Sequence, residues 1–255
     1  LMHQAPNGEA QRVAQATTKV RFGRSASAAL PPALHAGFEK RFGVPIVETM
    51  GLTETSAQIL SNPLPPEANK YGSPGLAYGT QVKVVDPAGQ EVSRGVEGEL
   101  LVKGACVMRC YYKNPIATQE TIDDQGWLHT GDLAIMDEDD FCFITGRIKE
   151  LIIKGGENIA PREIDDVLYT HPAVMEAAAI GIDDLHYGQE VEACVVLGQG
   201  KDITELELIQ FCQSRLGKVK TPKQIHFLSD LPKGPSGKVQ RLKLAQRMAK
   251  TIQSS

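Results

Sequence analysis

Several features are missing from this sequence, and each absence narrows its range of activities. No apolar run is long enough to cross a bilayer, and no leader-like segment opens the chain, so a cytoplasmic protein is expected. Lysine and arginine (27) do not outnumber aspartate and glutamate (31), and the net charge of -4 gives no basic footprint for nucleic acid. An anionic ligand would therefore be held by local groups and not by the field of the whole molecule. The five cysteines are odd in number and form no C-x-x-C, which argues against a disulfide framework or a zinc site. Buried free thiols in a reducing cytosol are expected instead. Neither an internal repeat nor a low-complexity segment is found.

The 255 residues, 42% hydrophobic and 23% charged, suffice for one large or two modest globular domains. The stretch from Leu1 to Lys19 is polar and shows no clear element, as if the chain began inside a larger unit. Pro31 to Phe42 reads as a helix with Leu34, Phe38 and Phe42 at near-helical spacing and Gly43 as its stop. Pro45-Ile46-Val47 reads as a short buried strand. From Gln81 to Val107 the pattern turns to β, with strands at Val82–Val85 and Gly98–Val102 around an Asp86–Gly89 turn. Phe141 to Ile144 adds another strand.

After Arg147 the pattern changes. It predicts a strand at Leu151–Ile153, a Gly155-Gly156 turn, and a helix opened by Pro161 with Ile164, Val167 and Leu168 on one face. Strands follow at Val174–Gly181 and Val191–Leu197, then a helix from Thr204 to Leu216 with Glu207 completing a capping box. A strand at Ile225–Leu228 and a helix from Val239 close a compact α+β unit of about 100 residues. The boundary is placed at Arg147 to Glu150.

The chemistry-bearing residues fall in short segments. Thr49-Met50-Gly51-Leu52-Thr53-Glu54-Thr55 follows a strand, where α/β sheets present ligands. Its hydroxyls suit phosphate oxygens and its carboxylate suits a magnesium ion, although a threonine-capped glycine turn would read the same. His129-Thr130-Gly131-Asp132-Leu133 sets one carboxylate on what reads as a tight turn between short strands, either a turn cap or an acceptor for two vicinal hydroxyls. Gly146-Arg147-Ile148-Lys149 adds two cations at the boundary, and Lys154-Gly155-Gly156 either lets a backbone approach a ligand or is an ordinary hairpin turn. Leu231 to Val239 is a loop of turn formers carrying Lys238, which can bring a point charge to an anion or simply face water. It lacks the G-x-x-x-x-G-K-[ST] frame of a P-loop.

The order and spacing of these segments resemble the adenylate-forming superfamily of acyl-CoA synthetases, luciferases and peptide-synthetase adenylation domains. The resemblance runs in register from about Arg24 to Arg241. It takes in Arg24-Ser25-Ala26-Ser27-Ala28-Ala29-Leu30, Gly51 to Thr55, and Gly98-Glu99-Leu100-Leu101-Val102-Lys103-Gly104. It continues through Trp127 to Leu133, Gly146 to Ile152 and Gly237-Lys238, with Cys110-Tyr111 where the family has Gly-Tyr. Arg24 to Leu30, Ser61 to Pro65 and Gly146 to Pro161 look similar to the oxalate–CoA ligase branch. That branch tends to have Tyr-Ala-Met-Thr-Glu where this chain has Met50-Gly51-Leu52-Thr53-Glu54.

The resemblance implies an α/β and α+β fold. Residues 1–147 would be the C-terminal portion of a large α/β adenylation domain with a small β subdomain, and 148–255 a small, mobile α+β domain turning on a hinge. It implies an acid–CoA ligase using ATP, Mg²⁺, coenzyme A and a carboxylic acid, with no nucleic-acid partner and with self-association left open. Ser25, Ala26, Ser27 and Ala28 would line the adenine, Thr49 would belong to the nucleotide site, and Met50 would stand where the family has an aromatic ring against the adenine. Thr53 would contact phosphate and Glu54 would hold Mg²⁺. Asp132 would take the ribose hydroxyls with help from Arg147, and Lys149 would be the hinge position. Lys238 would bridge the attacking carboxylate and the α-phosphate, and Gly155 and Gly156 would line the pantetheine path. The family's phosphate loop would lie upstream of Arg24, so the chain is expected to be part of a protein about twice as long and inactive by itself. The alternatives are an adenylation domain loading a carrier protein, or a nucleotide binder without catalysis. The chain's close soon after a Lys- and Arg-rich helix favours a ligase.

Overall fold

A computed structural model describes residues 19–235 and 237–253, with side chains as far as 250. The polar opening stretch up to residue 18, and Ser236, lie outside the described residues. Two compact units divide between Ile148 and Lys149.

The first unit opens with β1 (Gly23–Ser25), helix α1 (Pro32–Phe42) and β2 (Ile46–Gly51), with β1 parallel to β2 and Ser25 opposite Glu48. Helix α1 begins behind Pro31 and ends at Gly43, whose left-handed φ of 62° lets its N–H close on the Glu39 carbonyl. A tie at the helix base explains the buried polar residues there. Glu39 accepts from the Ile46 N–H at 2.7 Å and from the Tyr71 hydroxyl at 2.7 Å, and lies 3.1 Å from the buried His35 ring. Burial alone would raise the Glu39 carboxyl; these bonds hold it below its ordinary value.

Strand β3 (Gln58–Ser61) extends this sheet antiparallel to β2, and β4 (Leu76–Ala77) pairs antiparallel to β3 at its edge. A second, antiparallel sheet runs β5 (Gln81–Val85), β6 (Gly98–Lys103), β7 (Leu128–Met136) and β8 (Cys142–Arg147) in that order. The two sheets share a core, with Ile59 and Leu60 of β3 packed against Val84, Leu100, Val102, Ala134 and Cys142. Helix α2 (Pro115–Thr121) connects β6 to β7 and is capped by Asn114.

In the second unit β9 (Ile152–Lys154) and β10 (Glu157–Ile159) form a hairpin around Gly155-Gly156, followed by α3 (Pro161–Tyr169). Strands β11 (Val174–Asp184) and β12 (Gly188–Leu197) pair antiparallel along their length. After α4 (Glu205–Lys220), β13 (Gln224–Phe227) lies parallel to β12, and α5 (Arg241–Gln253) ends the described residues. Alternate residues of β11 and β12 serve two cores. Ala177, Ala179, Val191, Ala193 and Val195 pack under α3 and α4, while Ala178, Ile180, Cys194 and Val196 pack under α5. Covering both faces is why these strands read as continuous apolar runs instead of alternating ones. The Thr204–Glu207 capping box forms as expected, and α4 breaks at Gly217, one residue past the predicted helix end.

Two expectations need correction, and one helix was not foreseen. Asp132 is not on a turn between short strands but inside the nine-residue β7. The Thr-Gly-Asp run that read as a turn instead accommodates a bulge in the pairing of β6 with β7, with Gly131 left-handed (φ 70°). The thiols are not all buried: Cys142, Cys194 and Cys212 are, while Cys106 is half-buried and Cys110 is exposed. Helix α2, which supports the site below, carries no buried residue and so has no apolar stripe to betray it.

Candidate active site

In the parallel pairing of β1 and β2 the carboxyl end of β1, Ser25, lies opposite Glu48, and β2 runs on past it to Gly51. Ser25 ends β1, and Ala26 and Ser27 leave it exposed, Ser27 with a left-handed φ of 73°. A non-glycine residue held there stores strain of the kind found at ligand-binding turns. Thr49 of β2 is buried and its hydroxyl is used inside the sheet, accepting from Arg24 Nε at 3.1 Å and donating to the Ser25 carbonyl at 3.3 Å. Thr49 thus shapes the Ser25–Ser27 segment instead of reaching outward. Buried Glu48 does the same further along, accepting from the Leu30 N–H at 3.3 Å. Met50 packs its side chain onto the shared core.

Gly51 is a glycine because of crowding, not turn geometry: a Cβ there would lie 2.4 Å from the Ala57 carbonyl oxygen. Past it a single 3₁₀ turn, Thr53–Thr55, exposes Thr53 and leaves Glu54 half-buried. Thr55 turns inward and closes the turn by accepting from the Leu52 N–H at 3.1 Å. Glu54 accepts the Tyr111 hydroxyl at 2.7 Å, and this hydrogen bond, which only the protonated phenol can make, raises its pKa, with burial and the nearby negative charge adding to it.

Asp132 is buried and paired across the sheet with Arg147 of β8. Arg147 Nε donates to Oδ1 at 2.5 Å and Nη2 faces Oδ2 at 3.4 Å, a fork that aligns the carboxylate plane. Glu99 of β6 was not singled out in the sequence, yet it builds this arrangement. Its Oε1 accepts from the Gly131 N–H at 3.0 Å and its Oε2 lies 2.8 Å from His129 Nδ1, so one carboxylate clamps the bulge that aims Asp132. The signal was its place opposite Leu133 in a paired strand, which only the register reveals.

The remaining predicted residues lie on or at the start of the second unit. Lys149 is exposed in the 3₁₀ turn Ile148–Glu150 where the units divide. Gly155 and Gly156 adopt φ of 59° and 87°, and both are exposed at the tip of their hairpin. Open space surrounds Gly156, so its glycine answers to backbone conformation within this unit. Lys238 is exposed, and its carbonyl accepts from the Gly234 N–H at 2.8 Å, closing a tight loop before α5.

Oxygen donors suit Mg²⁺. Among the described residues no group of three or more His, Cys, Asp or Glu side chains could cage a metal. A single carboxylate such as Glu54, completed by phosphate oxygens and water, is the way Mg²⁺ is usually held.

The family description "AMP-binding enzyme" matches residues 1–112, and "AMP-binding enzyme C-terminal domain" matches residues 163–238. The chain belongs to the AMP-binding enzymes. Among its relatives, a sulfoacetate–CoA ligase of Cupriavidus necator is 52% identical over 90% of this chain and 45% of its own length. An oxalate–CoA ligase of Arabidopsis thaliana is 39% identical over 89% of this chain and 44% of its own. Among solved structures, ATP-bound MatB from Rhodopseudomonas palustris superposes with a TM-score of 0.89 at 34% identity, covering 97% of this chain and 48% of that one. The chain therefore spans about half the length of the AMP-binding enzymes it matches. The mixed α/β and α+β architecture is that of their adenylation region. No helix among the described residues is long and apolar enough to cross a membrane.

Proposed function

We propose that the whole protein is an ATP-dependent acid–CoA ligase. The observation that carries this is the presence, in one AMP-binding chain, of a buried carboxylate held in an arginine fork, Asp132, and an exposed lysine on a tight loop, Lys238. In the first half-reaction a carboxylate oxygen attacks the α-phosphorus of ATP, forming an acyl-adenylate and releasing pyrophosphate. In the second, the thiol of coenzyme A attacks the acyl carbonyl and AMP leaves. Two anions meet in the first step, so the residues that matter are those that orient ATP and offset charge.

Ser25, Ala26, Ser27 and Met50 border the adenine in this reading, with Thr49 fixing their backbone. Asp132 accepts the two ribose hydroxyls and the Arg147 fork orients its carboxylate. Thr53 donates to a phosphate oxygen. Glu54 holds Mg²⁺, which when bound neutralises phosphate charge. Lys238 bridges the two anions of the first step, Lys149 is the pivot of the second unit, and the Gly155-Gly156 tip meets the pantetheine arm. The first unit would be the end of a large adenylation domain and the second a small rotating domain. The named relatives ligate short acids bearing a second anionic group, sulfoacetate and oxalate, and we assign that class here. A pyrophosphate-release screen of the whole protein against sulfoacetate, oxalate, monoanionic short acids and longer acids tests it; turnover confined to the longer acids would remove the assignment.

Two substitutions test the nucleotide side. Asp132→Ala is expected to raise the KM for ATP by about ten-fold or more, as for loss of charge-assisted hydrogen bonds, and to leave that for the acid nearly unchanged. Equal effects on both substrates would make Asp132 a folding residue. Glu54→Gln is expected to weaken the Mg²⁺ dependence of pyrophosphate exchange, because an amide brings no charge to the metal. Unchanged metal dependence would remove Glu54 from the site.

A further inference from the structure

Glu54 stands on one short turn, and a glutamate so placed can rotate freely unless something holds it. A separate segment does so. The Met108 N–H donates to the Glu54 carbonyl at 2.6 Å, the Ser56 hydroxyl donates to the Cys106 carbonyl at 3.3 Å, and the Tyr111 hydroxyl donates to Glu54 Oε1 at 2.7 Å. Tyr111 is itself braced. Its N–H donates to Thr118 Oγ1 of α2 at 3.0 Å, that hydroxyl donates to the Asn114 carbonyl at 2.9 Å, and Asn114 caps the helix. The turn between them holds Lys113 at a left-handed φ of 54°, strain that the surrounding bonds sustain.

We propose that Tyr111 is a positioning residue for Glu54: its hydroxyl takes Oε1 and leaves Oε2 as the oxygen offered to a divalent cation. This rests on the reading of Glu54 given above. With no cage of ligands among the described residues, the orientation of this carboxylate governs how much the protein adds to metal affinity. A carboxylate already bonded through one oxygen presents the other singly, which suits the octahedral, water-retaining shell of Mg²⁺ better than two-oxygen chelation. The exchange of Gly for Cys at position 110 leaves this bond intact, because only the Tyr111 hydroxyl makes it.

The test uses Mn²⁺ as the probe, its binding to the whole protein with ATP followed by the electron paramagnetic resonance of free Mn²⁺. Tyr111→Phe is expected to weaken Mn²⁺ binding about ten-fold, the scale of a hydrogen bond to a charged group, and to raise by a similar factor the Mg²⁺ needed for half-maximal pyrophosphate exchange. At saturating Mg²⁺ its rate should stay within about two-fold of wild type and the KM for the acid should not move, a split that general loosening of the fold would not produce. In a Glu54→Gln background Tyr111→Phe should add nothing, since the bonded carboxylate is gone. Unchanged Mn²⁺ binding in Tyr111→Phe, with Glu54→Gln impaired, overturns this inference and leaves the ligase reading standing. Unchanged binding in both overturns this inference together with the role of Glu54. If Tyr111→Phe folds poorly, Thr118→Val removes the brace without touching either partner. It is expected to weaken Mn²⁺ binding by about two- to three-fold, as for one neutral hydrogen bond; no change there overturns the inference.

Discussion

Replacing Lys238 with alanine is expected to slow formation of the acyl-adenylate by roughly 10²–10³-fold, the loss seen when a group aimed at developing charge is removed. Thioester formation from supplied acyl-adenylate should stay within about three-fold of wild type, because no anions converge at phosphorus in that step. The structure indicates why the substitution should be clean. Lys238 is exposed, and its loop is closed by backbone bonds, Gly234 N–H to the Lys238 carbonyl and Gly237 N–H to the Gly234 carbonyl, which alanine keeps. Rapid-quench measurement of each half-reaction checks the result. Equal damage to both would show that the second unit does not exchange one role for another, and Lys238 would then be a structural residue of its loop.

The second large effect concerns stability. Arg241→Ala is expected to destabilise the second unit by about 3–5 kcal/mol, the cost of leaving buried charges without their partner. The Arg241 guanidinium is mostly buried and donates to Glu150 Oε2 at 3.2 Å, to Asp165 Oδ2 at 2.7 Å and to the Ala179 carbonyl. Asp165 Oδ1 in turn accepts from the Ala179 N–H at 2.6 Å, so one cation joins the start of α5 to α3, to β11 and to Glu150 beside Lys149. Urea unfolding would measure the loss. Asp165→Asn in the same background should recover part of it, since the amide oxygen still serves the Ala179 N–H and carries no charge to strand.

The deficit should also depend on pH. Burial raises the Asp165 carboxyl above its ordinary value, against the pull of Arg241. Without that cation the folded value rises further. A carboxyl raised in the folded state stabilises fully below its unfolded value, near 4, and loses that contribution as pH climbs through the folded value. The Arg241→Ala deficit should therefore be smallest in acid and widen toward neutrality. A deficit that widened toward acid would mean that Asp165 reaches water.

Much of this molecule could be read from its sequence because the information is local. The apolar runs of β11 and β12, the capping box at Thr204 and the Pro-opened helices α1 and α3 each depend on neighbours within a few residues. The order of the short motifs is likewise a property of one dimension, and it alone sufficed to place the chain among the AMP-binding enzymes. The tertiary structure decided what lies across a gap. Asp132 read as a turn residue because it follows Thr130-Gly131, residues that favour turns; it belongs to a long strand because β6 and β8 pair on either side of that strand. Thr49 read as a ligand contact, but its hydroxyl closes on Arg24 and Ser25 of the adjacent strand. Tyr111 meets Glu54 across 57 residues through a capped helix with no apolar stripe. Periodicity reports which face of an element is buried; which residue of another element stands opposite is set by register and packing, and those depend on the whole chain at once.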